Sequence, residues 1–373
     1  MWYVFYFYNF AVSFVFSLIL TYCATLIARK WRIYDVPGER KIHKAAVPVL
    51  GWVGIVGSVL LTFLLNMCIL AYLEDNPRAL SGLCCDIERH VPGFYRKVPQ
   101  LLAVLGGGVF IALCGYYDDK MRLSPPAKLL AQIAGALMLV AADIRITFFI
   151  PNYALSVVVT VVWVVAVVNA FNLLDNMDGL SAGIACISSV LFFCAVASLR
   201  QYFVSSFLAV FIGAVTGFLV FNRHPARIFM GDGGSMFIGY MIAALTVAAT
   251  FYTRNAPTHF AAIMPLVILA VPLYDTLSVI VIRVKRKKPI YVGDANHFSH
   301  RLVALGMTQR GAVLFMYLVC FCAGVSALYL THLHLVGALL VIAQTVSLLA
   351  VIAFLEYYAK KRQSDASANR STY

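Results

Sequence analysis

Eleven apolar runs, each close to the length that crosses a bilayer, constrain this chain more than any other feature. They lie near 7–27, 50–73, 99–117, 127–142, 152–171, 180–198, 202–221, 235–252, 260–283, 311–331 and 334–357. A spanning helix needs about 20 mainly apolar residues. The runs lack the alternation of barrel strands, so they read as helices, which satisfy their own backbone groups inside lipid. Composition agrees, with 62% hydrophobic and 12% charged residues, where a soluble domain carries about a quarter charged. The expected fold is an all-α polytopic integral membrane protein with about 11 transmembrane helices. Residues 1–358 form one multi-pass domain, and the polar stretch 359–373 reads as a disordered tail. The first run has no small-residue cleavage site and is followed by Arg29 and Lys30, so it reads as a retained anchor.

A net charge of +13 would suit a nucleic-acid partner on a soluble surface. Here the charge is one-sided. Alternate loops hold Arg29, Lys30, Arg32, Arg40, Lys41 and Lys44, then Arg283 and Lys285 to Lys288, then Lys360 to Arg362. The positive-inside rule makes those loops cytoplasmic, with the N-terminus outside and the C-terminus in the cytoplasm. Topology and anionic headgroups account for the basic excess, so the bilayer is the partner and nucleic acid is not needed. Most of the nine cysteines lie inside spans, where they act as small apolar residues.

The same inner loops carry nearly all the unusual polar residues. Asp118 and Asp119 close the third span before Ser124-Pro125-Pro126. Adjacent carboxylates repel, which suits a base, a metal ligand or a cation contact, or simply a solvated loop. Asn172, Asp175 and Asp178 stand three apart between spans five and six, nearly on one face of a helical turn. Converging oxygens suit Mg²⁺, with Mn²⁺ an allowed substitute, because Mg²⁺ takes one or two carboxylates plus phosphate oxygens; a polar turn is the plainer reading. Asn222 and Phe229 precede Gly231-Asp232-Gly233-Gly234-Ser235, where glycine permits close backbone approach and the next helix start favours anions. In the last inner loop His297, His300 and Arg301 suit phosphate or a metal; no Cys or Glu-x-x-His completes a zinc set. Lys44 before span two is a phosphate-facing cation or a snorkelling anchor. Together these residues suit metal-assisted phosphoryl chemistry at a membrane surface.

These motifs, in this order from about Lys41 to Arg301, resemble the polyprenyl-phosphate N-acetylhexosamine-1-phosphate transferase family. Asp118-Asp119 is similar to its Asp-Asp pair, and Asn172 to Gly179 to its Asn-x-x-Asp-x-x-Asp-Gly loop. Phe229 to Ser235 is similar to its Phe-Met-Gly-Asp-x-Gly-Ser loop. The last loop resembles the Asp-Arg-x-His-x-His-His-Arg-Leu pattern of the N-acetylglucosamine branch, with Ala295 for Arg and Ser299 for His. Trp52 stands where a second Gly is usual. The resemblance implies transfer of a sugar 1-phosphate from a UDP-N-acetylhexosamine donor to undecaprenyl phosphate, releasing UMP and starting a lipid-linked glycan. It implies a bacterial inner (plasma) membrane location with a cytoplasmic active site, and admits a homodimer. It also implies that Asp232 and Asn172 hold Mg²⁺, and that Asp118 and Asp119 handle the lipid phosphate. Phe229 would stack on uracil, with Asn222, Asp175, Asp178 and Lys44 lining the nucleotide pocket. His297, His300 and Arg301 would contact phosphates or sugar. A muramoyl-pentapeptide phosphotransferase is the neighbouring activity, and a transporter or flippase is the reading from another class.

Overall fold

The computed structural model describes residues 2–35, 46–76, 91–147, 152–251, 259–289 and 296–370. They fall into two compact units, Met1–Thr250 and Phe251–Tyr373.

Among the described residues the first unit contains eight helices: α1 (Trp2–Lys30), α2 (Gly51–Asp75), α3 (Val91–Met121), α4 (Pro125–Ala141), α5 (Tyr153–Leu174), α6 (Leu180–Ser198), α7 (Tyr202–Asn222) and α8 (Gly231–Ala248). Its first helix is patterned inside out. Asn9, Ser13, Ser17 and Thr21 recur every four residues and are buried, while Tyr3, Val4, Phe7, Ile19 and Leu26 are exposed. Small polar residues inward and bulky apolar residues outward fit a helix whose solvent is lipid. Two of the inward residues tie α1 to its neighbours: the Ser17 hydroxyl donates to the Ala214 carbonyl of α7 at 2.6 Å, and Asn66 of α2 donates to Asn9 at 2.7 Å.

By contrast α8 is buried all round, from Gly233 to Thr246. A helix apolar on every face belongs in a core, and α3 and α5 pack on it. Two short strands, β1 (Tyr34–Asp35) and β2 (Val47–Pro48), pair antiparallel. The chain after β2 then runs beside the approach to α8: Phe229 N–H donates to the Pro48 carbonyl at 2.8 Å, and Gly51 N–H to the Phe229 carbonyl at 2.9 Å.

The second unit holds α9 (Met264–Ile268), α10 (Ala270–Lys285), α11 (Phe298–Ala304), α12 (Gln309–Ala327) and α13 (Leu335–Arg370). The run at 260–283, expected as one straight span, is a pair of helical pieces bent by 69°. The cause is Pro272, which has no amide hydrogen for the Ile268 carbonyl and crowds it. The Cys320 thiol of α12 turns to that carbonyl instead, at 3.9 Å. The helix α13 continues to Arg370, beyond position 358 where the apolar pattern ends.

Each of the eleven runs coincides with a helix or with this bent pair. Among the described residues, eight helices are long and apolar enough to span, or nine with the bent pair counted. The other two fall short of a full span: α4 has 17 residues, and α8 has 18, beginning on a glycine-rich, acidic turn.

Candidate active site

The first unit gathers Asp118, Asp119, Asp175 and Asp232 at one end, where α3, α5 and α7 finish and α4 and α8 begin. At the centre is a residue the motif reading passed over. The Lys128 ammonium in the first turn of α4 lies 2.7 Å from Asp118 Oδ2 and 2.7 Å from Asp232 Oδ2. Asp118 Oδ1 also accepts the Leu123 N–H at 2.7 Å, so both oxygens of that carboxylate are engaged. The Asn172 amide donates to Asp232 Oδ1 and to the Ser235 hydroxyl, each at 2.9 Å. Asp119 accepts the Asp232 N–H on both oxygens at 3.0 Å. The start of α8 thus directs its N–H groups at an acidic side chain, that of Asp119, as a helix N-terminus favours.

This meeting of chains depends on two glycines. Gly231 has φ of +68° and carries the turn into α8; a Cβ there would stand 2.5 Å from Asp119 Oδ2. On α3, a Cβ on Gly115 would stand 2.5 Å from the Asp232 carbonyl oxygen and 2.7 Å from Gly233 Cα. Backbone cannot swing aside as a side chain can. Gly115→Ala is therefore expected to push Asp232 away from Asp118 and lower turnover by about 100-fold, since ångström misplacements cost that much. Steady-state kinetics on folded variant checks this, and turnover within threefold of the parent would count against the packing argument.

Asp175 terminates α5. Burial, and then the charges of Asp232, Asp119 and Asp178, push its carboxyl well above the usual carboxylate range. Crowded acids of this kind mark a site built to receive positive charge. Asp178 has a partner of its own: its Oδ2 lies 2.7 Å from His224 Nδ1 and accepts the Ala226 N–H at 3.1 Å. The Asn222 amide is buried and stitches loops together, accepting from Gly179 N–H at 3.1 Å and donating to the Ile228 carbonyl at 2.9 Å. Phe229 is half-buried, with its backbone paired to the chain around Val49. Lys44 lies outside the described residues, as does Ala295.

His297, His300 and Arg301 form a cluster within the second unit. The His297 Nδ1 lies 3.0 Å from Asp275 Oδ2 of α10. Arg301 Nε lies 3.0 Å from Glu356 Oε1 of α13, its Nη2 donates to the Ser278 hydroxyl at 2.9 Å, and its Nη1 donates to the Asn296 carbonyl. The His300 ring is 6.2 Å from that of His297. Lys128, His224, Asp275 and Glu356 were not singled out from sequence. The signal for three of them was a single charge inside an otherwise apolar run, an expensive placement that ordinarily marks function or a buried pair.

Magnesium fits the donor chemistry of the acidic end. Among the described residues no group of three or more His, Cys, Asp or Glu side chains forms a closed metal cage. Mg²⁺ asks for less, taking one or two carboxylates and completing its octahedron with water and phosphate. Asp232 supplies hard oxygens of that kind; Asn172 presents its Nδ2 to Asp232, so its amide would have to turn for Oδ1 to join a bound ion.

Comparison with known proteins joins these features to a family. Residues 101–250, which include Asp118, Lys128, Asn172 and Asp232, match the model described as glycosyl transferase family 4. The chain is 31% identical over 356 residues to a Bacillus subtilis protein named "Probable undecaprenyl-phosphate N-acetylglucosaminyl 1-phosphate transferase", covering 92% of this chain and 90% of that one. It is 31% identical over 336 residues to the decaprenyl-phosphate N-acetylglucosaminephosphotransferase of Mycobacterium tuberculosis, covering 81% and 78%. Identity to the undecaprenyl-phosphate alpha-N-acetylglucosaminyl 1-phosphate transferase of Escherichia coli O157:H7 is 24% over 370 residues, covering 94% and 89%. The chain belongs to glycosyl transferase family 4, and within it to the polyprenyl-phosphate N-acetylhexosamine-1-phosphate transferases. It is a phosphoglycosyltransferase.

Proposed function

We propose that this enzyme transfers N-acetylglucosamine 1-phosphate from UDP-N-acetylglucosamine to undecaprenyl phosphate. UMP is released, and the reaction runs at the cytoplasmic face of a bacterial plasma membrane. The observation that carries the reading is the Asp118–Lys128–Asp232–Asn172 network, a polar site at one end of otherwise apolar helices. The donor sugar is supported by the N-acetylglucosamine phosphate named for all three relatives above.

In the proposed reaction an oxygen of the lipid phosphate bonds to the β-phosphorus of the donor. The bond from that phosphorus to the bridging oxygen breaks, and UMP leaves with the oxygen and the electron pair. Asp232 and Asn172 would hold Mg²⁺, which when bound supplies charge neutralisation at the pyrophosphate. Lys128 sits where its ammonium can exchange a carboxylate for a phosphate oxygen. This displacement is direct and needs no phospho-aspartate intermediate. His297, His300 and Arg301 are assigned to the donor phosphates or sugar.

The test is a transfer assay. Purified protein, radiolabelled UDP-N-acetylglucosamine, undecaprenyl phosphate and MgCl₂ are expected to yield lipid-extractable label, and EDTA is expected to abolish it. No magnesium-dependent lipid product with any UDP-amino sugar would overturn the reading.

A further inference from the structure

Asp275 has no role in the chemistry above, yet its placement demands one. It lies in α10 between Tyr274 and Thr276, with Glu356 also near, and is 1% exposed. A buried carboxylate is costly unless its oxygens find donors. Both oxygens do. Oδ1 accepts the Phe298 N–H at 2.6 Å, capping the first turn of α11, and Oδ2 faces His297 Nδ1 at 3.0 Å. A carboxylate is an acceptor only, so it requires the proton on Nδ1. That fixes the ring's plane and leaves Nε2 as the ring nitrogen not held by Asp275, on a side chain that is itself 7% exposed. The same helix restrains the next functional side chain of the loop: one turn beyond Asp275, the Ser278 hydroxyl accepts from Arg301.

We propose that Asp275 is a positioning residue, holding His297 in one tautomer and orientation so that Nε2 meets a phosphate-bearing substrate. It does not touch substrate, being buried against His297 and Phe298. The logic is that of a carboxylate orienting an imidazole whose far nitrogen does the work. The proposal rests on the assignment of His297 to the donor, made above.

Asp275→Asn in the full-length protein separates this role from a structural one. An asparagine carbonyl still accepts the Phe298 N–H, so the cap survives. Its NH₂ group, however, faces Nδ1 and moves the ring proton to Nε2. Three results are expected. The thermal midpoint of Asp275→Asn stays within a few degrees of the parent. Its kcat/KM for UDP-N-acetylglucosamine falls about 100-fold. Asp275→Asn combined with His297→Ala is no slower than His297→Ala alone, because the two act as one unit. Parental kcat/KM in Asp275→Asn, or losses that multiply, would overturn the proposal.

A second readout is independent of activity. The ¹⁵N shifts of the His297 ring, assigned by their loss in His297→Ala, should exchange between the Nδ1–H and Nε2–H patterns in Asp275→Asn. Unchanged shifts would overturn the positioning role. A parent inactive with every UDP-amino sugar would overturn the proposed function, while the ring shifts would still decide the role of Asp275.

Discussion

Asp232→Ala is expected to lower kcat by about 1,000-fold, the upper end for removing one group that stabilises developing charge. Asp232 is the residue on which the other polar groups converge. Its Oδ1 receives Asn172, its Oδ2 receives Lys128, and its backbone N–H is received by Asp119. Alanine deletes the first two contacts and spares the third, so the start of α8 keeps its cap on Asp119. The loss should therefore fall on turnover, with the helical fold retained. Asp232→Asn should remain severely impaired, since an amide keeps the size and removes the charge. Initial rates measured beside circular dichroism and thermal unfolding decide it. Activity within about threefold of the parent would remove Asp232 from the proposed metal site.

Lys128→Ala is expected to lower both stability and turnover, so its signature should differ. The lysine stands between two carboxylates, with side-chain exposures of 20% for Lys128, 12% for Asp118 and 34% for Asp232. Removing it leaves those carboxylates facing each other without a counter-charge. The stability cost should lie between the roughly 1 kcal/mol of an exposed pair and the 3–5 kcal/mol or so of a buried one. Turnover should drop about 100-fold if the ammonium meets a phosphate oxygen in the reaction. The magnesium concentration for half-maximal rate should fall, because a cation competing for Asp232 has been taken away. Magnesium titration of the residual activity tests this. A requirement that rises instead would mean that Lys128 helps to build the metal site.

The sequence carried the acidic end well and its cationic centre badly. Apolar length was sufficient to locate the long helices because lipid imposes one rule on all of them: backbone polar groups must pair within the segment. Oxygen-rich loops on one face then named Asp118, Asp119, Asn172, Asp175 and Asp232, which the fold brings to the same end of the first unit. Lys128 went unremarked because one lysine at the head of an apolar helix usually snorkels. Only the approach of α8 turns it into the bridge between Asp118 and Asp232. Asp275 and Glu356 were hidden for a similar reason: a single acid in a run has no visible partner until distant helices meet. The bend at Leu269 was masked because hydropathy does not register a missing amide hydrogen. Asn222 shows a further limit, since a polar residue in a motif can be consumed by backbone contacts.

A donor labelled with ³²P at the β-phosphate tests most directly which bond breaks. With undecaprenyl phosphate, magnesium and the purified enzyme, the account predicts that the label moves into the lipid fraction in equal amount to unlabelled UMP. Label that stays in the nucleotide as UDP while sugar enters the lipid would contradict it.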